Sequence, residues 1–194
     1  MRRMLALALV CCSLAVIAPL AATAEDTPAA AAPAPAASSF QADLVGDLDE
    51  AMNHLLQLAE AMPADKFAWR PAEGVRSFAE VLGHVAAGYY AGAAKLGAPV
   101  PAGIDPRKAE EVTEKAAAIA ALRAAVAHFE AAAKAVPTAA LEERVELFGM
   151  DLNKRQVMLL MQGHGHEHTG QAIAYARMNG VVPPWSQPQP KSGG

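Results

Sequence analysis

Cysteine is almost missing from this chain of 194 residues, and both copies, Cys11 and Cys12, stand in an apolar stretch near the N-terminus. We expect that stretch to be cleaved off, which leaves a mature chain without a thiol. A disulfide framework, a cysteine nucleophile and a thiolate metal site are thereby excluded. Neither cysteine follows a small residue, as a lipoprotein cleavage site requires, so a lipid anchor is not expected.

Clusters of basic residues are lacking as well. The chain has 16 lysine and arginine residues against 20 aspartate and glutamate residues. Loss of Arg2 and Arg3 with the leader leaves 14 against 20, a formal net charge of −6. Proteins that follow a phosphate backbone carry lysine and arginine on one face or stripe. The composition therefore predicts no nucleic-acid partner.

The first 24 residues have the pattern of a secretory signal peptide. Basic Arg2 and Arg3 are followed by an uncharged apolar stretch and then by the small residues of Ala22-Thr23-Ala24, which is the order found in cleavable signals. Pro19 interrupts the stretch, which is shorter than the roughly 20 residues of a membrane-spanning helix. We expect cleavage near Ala24, no stable membrane anchor, and a periplasmic or secreted protein, with the export route left open.

The mature chain divides into a linker, one domain and a tail. Residues 25–39 are rich in alanine and proline without apolar periodicity, which is typical of a disordered linker. Residues 186–194 carry two prolines and a Gly-Gly end, which indicates a flexible tail. The domain then spans residues 40–185, an ordinary size for a single domain.

Proline and glycine divide this domain into four segments whose apolar residues recur at helical spacing. Ser77 and Glu80 have the spacing of a capping box at the start of the second segment. No run of alternating β-branched residues is long enough to predict a sheet. The sequence therefore predicts an all-α fold, a four-helix bundle. The expected helices cover about residues 40–62, 77–96, 109–136 and 153–179.

Two histidines of the fourth helix share one face. His164 and His168 stand four residues apart, and the apolar Val157 and Met161 precede them on the same side, which indicates that it faces the core. Buried imidazoles need either hydrogen-bond acceptors or a cation as partners. On spacing alone, two interpretations therefore remain: core histidines with hydrogen-bond partners, and a metal site.

His84 in the second helix is the candidate for a third ligand. It follows the apolar Val81 by three residues, and neighbouring glycines leave space beside it. His84, His164 and His168 would offer three neutral nitrogens with open positions for water or substrate, as catalytic zinc sites do. Zn²⁺ suits this donor set best, and Ni²⁺ or Fe²⁺ would also be accepted. Such a cation makes a bound water or thiol nucleophilic near neutral pH.

Three other polar residues of the fourth helix are not expected to be metal ligands. His166 lies about 200° around the helix from His164 and is expected to face away from the pair. Glu167 does not occupy the general-base position of a His-Glu-x-x-His motif, because a glycine follows His164. Gln171 stands three residues after the second histidine and is a candidate hydrogen-bond partner for it, a role that metal-bound imidazoles need filled.

Four stretches occur in order along the chain: Trp69-Arg70-Pro71 with Ser77-Phe78-Ala79-Glu80 and Gly83-His84-Val85; Leu147-Phe148-Gly149; His164-Gly165-His166-Glu167-His168-Thr169-Gly170-Gln171; and Tyr175-Ala176-Arg177-Met178-Asn179-Gly180-Val181-Val182-Pro183-Pro184. Together they make the chain, over about residues 40–186, resemble the DinB-like superfamily, also called DinB/YfiT-like. The resemblance implies a four-helix bundle, often dimeric, with a divalent metal on one histidine of the second helix and two of the fourth. Carried onto this sequence, those ligands are His84, His164 and His168.

The activities that the resemblance implies are several. Relatives include S-transferases that use low-molecular-weight thiols such as bacillithiol or mycothiol, a thiol-dependent maleylpyruvate isomerase, and members without a known substrate. One hypothesis is therefore a metal-dependent transferase or hydrolase acting on an unknown small molecule. Another is a non-catalytic metal- or small-molecule-binding bundle of the cell envelope. A purely structural bundle would require that the histidines bind nothing.

Overall fold

Four α-helices make up most of the structure, a computed structural model that describes residues 39–188. They are α1 Ser39–Ala61, α2 Phe78–Leu96, α3 Lys115–Ala135 and α4 Lys154–Met178. The predicted helical bundle is confirmed. The predicted signal peptide, almost all of the predicted linker, and the last six residues of the predicted tail lie outside the described residues.

Side-chain caps fix where α2 and α4 begin. The Ser77 hydroxyl accepts a hydrogen bond from the backbone N–H of Glu80, whose carboxylate accepts one from the backbone N–H of Ser77, so the predicted capping box is present. Asn153 and Gln156 form the same reciprocal pair at the start of α4. Caps of this kind each stabilise a helix end by about 1 kcal/mol. They also set how far along the bundle the histidines of each helix lie.

The start of α3 differs from the prediction, which placed it near residue 109. Pro106–Glu111 instead form a 3-10 helix, and Val112 after it is extended. The Glu114 side chain then accepts hydrogen bonds from two backbone N–H groups and caps α3, which begins at Lys115. Ala109, Glu110 and Glu111 before this break are good helix formers, as are the alanines after Lys115, so composition alone did not locate the break.

A β-hairpin precedes α4, and the expectation of no sheet is wrong here. Strands β1 Arg144–Leu147 and β2 Met150–Asn153 pair antiparallel, with Leu147 opposite Met150. Phe148 and Gly149 form the two-residue turn with φ values of +53° and +77°, as in a type I′ turn. Each strand has four residues, and the pair presents only Leu147 fully to the core, so no periodic signal was available.

Each helix packs extensively against two others, so that the order around the bundle is α1, α3, α2, α4. Helices α2 and α4 are therefore neighbours, which places the two histidine-bearing faces side by side. The apolar core fills the centre. Its largest fully buried side chains are Tyr89, Phe67, Phe78, Phe129, Leu48, Met52, Leu55, Leu58, Met62, Leu82, Leu122 and Leu141.

Helix α3 is also the described helix that is long and apolar enough to cross a membrane, judged by length and hydropathy alone. Of its most apolar window, 44% is buried inside the bundle. A core helix of a four-helix bundle has the same composition, and α3 packs against α1 and α2 in that way.

Polar contacts join α1 to both ends of α3. Gln41 is fully buried, and its Nε2 donates to the carbonyl oxygens of Ala133 and Val136 at 2.6 and 2.9 Å. The first carbonyl lies in the last turn of α3 and the second directly follows the helix, where no intrahelical donor reaches them. At the other end, the Lys115 Nζ donates to two carbonyls at the end of α1. Such contacts fix the alignment of the helices along the bundle.

Candidate metal centre

The three histidines singled out in the sequence come together where α2 faces α4. Ring centroids are 5.1 Å apart for His84 and His164, 4.8 Å for His84 and His168, and 4.6 Å for His164 and His168. One nitrogen from each ring can be chosen so that all three atoms lie within 4.8 Å of one another. The group could hold a metal ion, and it combines residues that are about 80 positions apart in the chain.

Two glycines of α2 permit close contacts around this group, Gly88 with α4 and Gly83 with the connection to α3. A Cβ at Gly88 would lie 2.7 Å from the Nε2 atom of His164, closer than real side chains allow. A Cβ at Gly83 would collide with the backbone of Ala109. The connection between α2 and α3 therefore lies directly on α2 at Gly83, and this contact brings the next residue, Glu110, beside His84.

Glu110 supports His84 from outside the group. Its Oε1 is 3.1 Å from the His84 Nδ1, while Arg76 donates to both carboxylate oxygens, from Nε at 2.9 Å and from the terminal nitrogen at 3.2 Å. Burial raises the pKa of Glu110, but Arg76 and His84 outweigh it and hold that pKa below its ordinary value. The ionised carboxylate can only accept, so Nδ1 of His84 carries the proton and Nε2 has the free lone pair.

Gln171 gives His168 the same kind of support. Its Oε1 is 2.7 Å from the His168 Nδ1, and its Nε2 donates to the Tyr175 hydroxyl at 2.8 Å. The rings of Trp69 and Tyr175 pack in a T-shaped arrangement at the end of this chain of contacts. The expected hydrogen bond between His168 and Gln171 is thus confirmed. Because the amide oxygen only accepts, Nε2 of His168 is again the atom left with a lone pair.

His164 differs from the other two histidines in having a buried ring nitrogen without a hydrogen-bond partner. Within residues 39–188, its Nε2 is the single buried side-chain nitrogen or oxygen atom without a hydrogen bond. Burial, together with the charges that His168 and His84 would carry, lowers the pKa of His164 to about 4. An orphaned buried polar atom costs about 1–3 kcal/mol. A cation bound between the three rings would satisfy it, so the residues fit a divalent metal.

The pKa of His84 is lowered too, first by burial and then by the charge of Arg76, with the Glu110 contact acting in the opposite sense. His84 and His164 are therefore neutral at pH 7. Neutral imidazoles are the form that binds a metal, so neither ring has to lose a proton at pH 7 before it can act as a ligand.

Neighbouring residues of α4 lie where the sequence predicted. His166 is exposed, and its Nε2 is 2.6 Å from an Asp47 carboxylate oxygen that also accepts from Gln162 at 2.6 Å. His166 thus faces away from the other histidines and joins α4 to α1. Glu167 is exposed on the same helix. Neither contributes to the three-histidine group.

Glu110 and Arg76 are the residues of the site that sequence reasoning missed. Glu110 is 26 residues from His84 and was placed in the first turn of the third helix. Its position depends on the 3-10 helix and on the contact at Gly83, and no local motif announces either one.

A cavity of about 860 Å³ opens beside the group, on the side of His84 and His164. A second cavity of about 500 Å³ lies on the side of Gln171 and is lined mainly by polar residues. Arg76 and Glu110 border both, so their ion pair separates the two spaces. The remaining residues of the larger cavity are Ala87, Gly88, Ala91, Pro106, Arg107, Phe148, Met150, Leu159, Leu160, Met161, Gly163 and Glu167.

Comparison with known protein families identifies the family of this chain. The model of the DinB superfamily matches residues 47–172, well over half of the chain, and includes all three histidines. The chain belongs to the DinB superfamily. The resemblance found in the sequence is therefore confirmed for this DinB superfamily member.

A solved structure agrees with this assignment at the level of fold. A DinB-like protein from Bacillus cereus superposes on this DinB superfamily member with a TM-score of 0.63 and 14% sequence identity. The alignment covers 73% of this chain and 93% of that one. Identity this low shows the shared fold alone. A comparison with curated proteins gives no match.

Proposed function

We propose that this DinB superfamily member is a metal-dependent enzyme of the transferase or hydrolase type, in which His84, His164 and His168 hold a divalent transition metal. The observation that carries the proposal is the buried, unpartnered Nε2 of His164 beside two imidazoles whose Nε2 lone pairs are also free. Zinc suits three nitrogen donors best, and nickel or iron would also be accepted.

The protein's own residues prepare this centre. Glu110 and Gln171 fix the orientation and tautomer of two rings, and Arg76 keeps Glu110 ionised. Three protein ligands leave positions open for a reactant, and the larger cavity gives access to that side. When bound, a divalent cation on three nitrogens acts as a Lewis acid and makes water or a thiol nucleophilic near neutral pH.

Metal analysis tests the first half of this proposal. The protein is incubated with Zn²⁺, freed of excess metal by gel filtration and analysed by mass spectrometry for bound metal. We expect one equivalent in wild type and loss of it in His84→Ala and His168→Ala. His166→Ala is the matched control from the same helix turn and should keep its metal. A wild type that retains no metal, or variants that retain all of it, would contradict the proposal.

A non-catalytic metal- or small-molecule-binding bundle of the cell envelope is the alternative. It is favoured by the contacts of Glu110. Among the described residues this is the one carboxylate in contact with His84, His164 or His168, and Arg76 already pairs with it. Turnover separates the two functions. We expect the zinc-loaded protein to conjugate electrophiles to a low-molecular-weight thiol or to hydrolyse activated esters, and His168→Ala to abolish the rate. Full metal loading without turnover in either assay would favour the binder.

We further propose that the protein acts outside the cytoplasm. The proposal is supported by the order of basic, apolar and small residues in positions 1–24. Expression of the full chain followed by fractionation and N-terminal sequencing tests it. A mature protein that begins near Glu25 in the periplasm or medium is expected, and an intact N-terminus in the cytosol would overturn it.

A further inference from the structure

Exposed apolar side chains gather at the mouth of the larger cavity. Phe148, Leu159 and Met150 are 61%, 46% and 39% exposed, and they account for half of the exposed large hydrophobic residues in the described part of the chain. All three line this cavity, although they come from the hairpin turn, α4 and β2. Exposed apolar residues from separate elements that line one cavity indicate a binding surface. Exposed apolar residues scattered singly would not.

Phe148 stands where the backbone does not favour it. Its φ of +53° lies in the left-handed region, and Gly149 follows it in the two-residue turn. Turns of this type prefer asparagine, aspartate or glycine at that position, because bulky side chains are strained there. An aromatic ring at this position is also left in contact with water. Neither turn geometry nor core packing explains Phe148, whereas a ligand in the cavity would.

Charges on the cavity wall are mostly compensated by protein groups. Arg76 is paired with Glu110, and Arg107 is paired with Asp105 at 2.9 Å. Glu167 is exposed at the margin. Apart from Glu167, the polar atoms that remain free for a ligand are therefore at the histidine end, while most of the other lining residues are apolar. This arrangement suits a molecule with one metal-binding head and an apolar body.

We propose that the cavity binds the apolar alkyl or aryl body of a small-molecule substrate whose polar head reaches the three-histidine centre. This inference rests on the proposed function, because the head would bind the metal there. The volume of about 860 Å³ lies within the range of roughly 300–1,000 Å³ found for small-molecule sites. Continuity of the apolar wall with His84 and His164 favours this occupant over a protein partner at the same face.

Alkyl hydroxamates of increasing length provide the probe, since they share one chelating head and differ only in the apolar body. Acetohydroxamate, hexanohydroxamate and octanohydroxamate are titrated calorimetrically into the zinc-loaded full chain. Burial of each added methylene should raise the affinity about three- to fourfold. A flat series in wild type would overturn the inference.

Phe148→Asn is the informative variant, because asparagine followed by Gly149 suits the turn. We expect it to reduce the gain per methylene, to leave acetohydroxamate affinity unchanged, and to keep or raise the melting temperature. Met178→Ser, which removes an exposed apolar side chain that does not line the cavity, should leave the whole series unchanged. A lower melting temperature without any effect on the series would assign Phe148 a structural role and contradict the inference.

A metal-free arm separates this inference from the proposed function. Octanamide has the apolar body without a chelating head, and it should shift the backbone amide signals of Phe148, Met150 and Leu159 in the metal-free protein. Shifts there without hydroxamate binding would refute the metal centre and keep the apolar site. No shifts would refute the apolar site.

A second copy of this chain is the other occupant that could cover the apolar wall. Sedimentation analysis tests this. A wild-type dimer that Phe148→Asn dissociates would show that a second copy covers the wall and would overturn the inference.

Discussion

Glu110 is held from two sides, by Arg76 and by the Nδ1 atom of His84, and it orients that ring for the proposed metal. Glu110→Gln keeps the shape of the side chain and removes its charge. We expect the zinc affinity to fall about tenfold, the usual effect of losing such an outer partner. Competition with a chromophoric chelator measures the change.

The neighbouring Glu111 supplies the control for this prediction. It is exposed and has no contact with the histidines among those described, so Glu111→Gln should bind zinc like wild type. Equal affinities for both variants would show that Glu110 does not support His84.

His164 makes the stability of the metal-free protein depend on pH. Its pKa is about 4 in the folded protein against an ordinary 6.5. Between these values the unfolded chain binds more protons than the folded one, so the free energy of unfolding decreases as the pH falls from 6.5 toward 4. The slope approaches about 1.4 kcal/mol per pH unit for one such group.

Urea unfolding of the metal-free protein at pH 7 and pH 5 measures this dependence. His164→Gln should lessen the difference between the two pH values. An unchanged difference in His164→Gln would refute the assignment to His164.

The positions of site residues could be predicted where they follow from the geometry of one helix. They could not be predicted where they depend on contacts between residues far apart in the chain. The outward position of His166 and the contact from Gln171 to His168 both follow from the rotation per residue of one helix. Glu110 reaches His84 only because a separate 3-10 helix packs onto Gly83. Nothing within a few residues of Glu110 encodes that packing.

At the scale of elements, the close contact of α2 with α4 depends on Gly88. Gly88→Ala places a methyl group 2.7 Å from the His164 Nε2 atom, so the ring must move from its place in the group. We expect at least a tenfold loss of zinc affinity, a lower estimate from the sensitivity of metal sites to ligand orientation. Calorimetric titration with zinc measures it.

Gly46 in α1 offers the matched control, since a Cβ there meets nothing within 4 Å. Gly46→Ala should leave zinc binding intact and stabilise the fold by about 0.5–1 kcal/mol through helix propensity. If Gly88→Ala behaved in the same way, the proposed crowding of His164 would be wrong.

Element boundaries could be predicted where a side chain marks them. Ser77 with Glu80 defines the start of α2, and Asn153 lies at the predicted start of α4. The start of α3 was misplaced because good helix formers lie on both sides of its cap, Glu114, so that propensity alone does not separate α3 from the residues before it. The hairpin was missed because its strands are too short for a periodic pattern and its turn has Phe148 in place of the usual asparagine.

For the whole molecule, a metal between α2 and α4 should stabilise the folded state. If the metal binds only the folded chain, a free metal concentration of 100 times Kd adds about 2.7 kcal/mol to the free energy of unfolding. We expect zinc to raise the melting temperature of wild type and EDTA to reverse the shift.

Two variants check this prediction. His168→Ala should melt at the same temperature with and without zinc, while His166→Ala should show the wild-type shift. A shift of equal size in His168→Ala would mean that zinc stabilises the protein from another site.

The bundle architecture could be predicted from four amphipathic segments of similar length, and family membership from the motifs that they carry. The order of the helices around the bundle could not. It depends on contacts such as Gln41 with the last turn of α3 and Lys115 with the end of α1, which join residues more than 50 positions apart.

The distance along the chain between His84 and the two histidines of α4 also has a consequence during synthesis. About 80 further residues must leave the ribosome after His84 before His164 and His168 can reach it. The nascent chain can form α1, α2 and α3, and can bring Glu110 to His84, without being able to close the three-histidine group. Closure of the group therefore marks the arrival of the last helix.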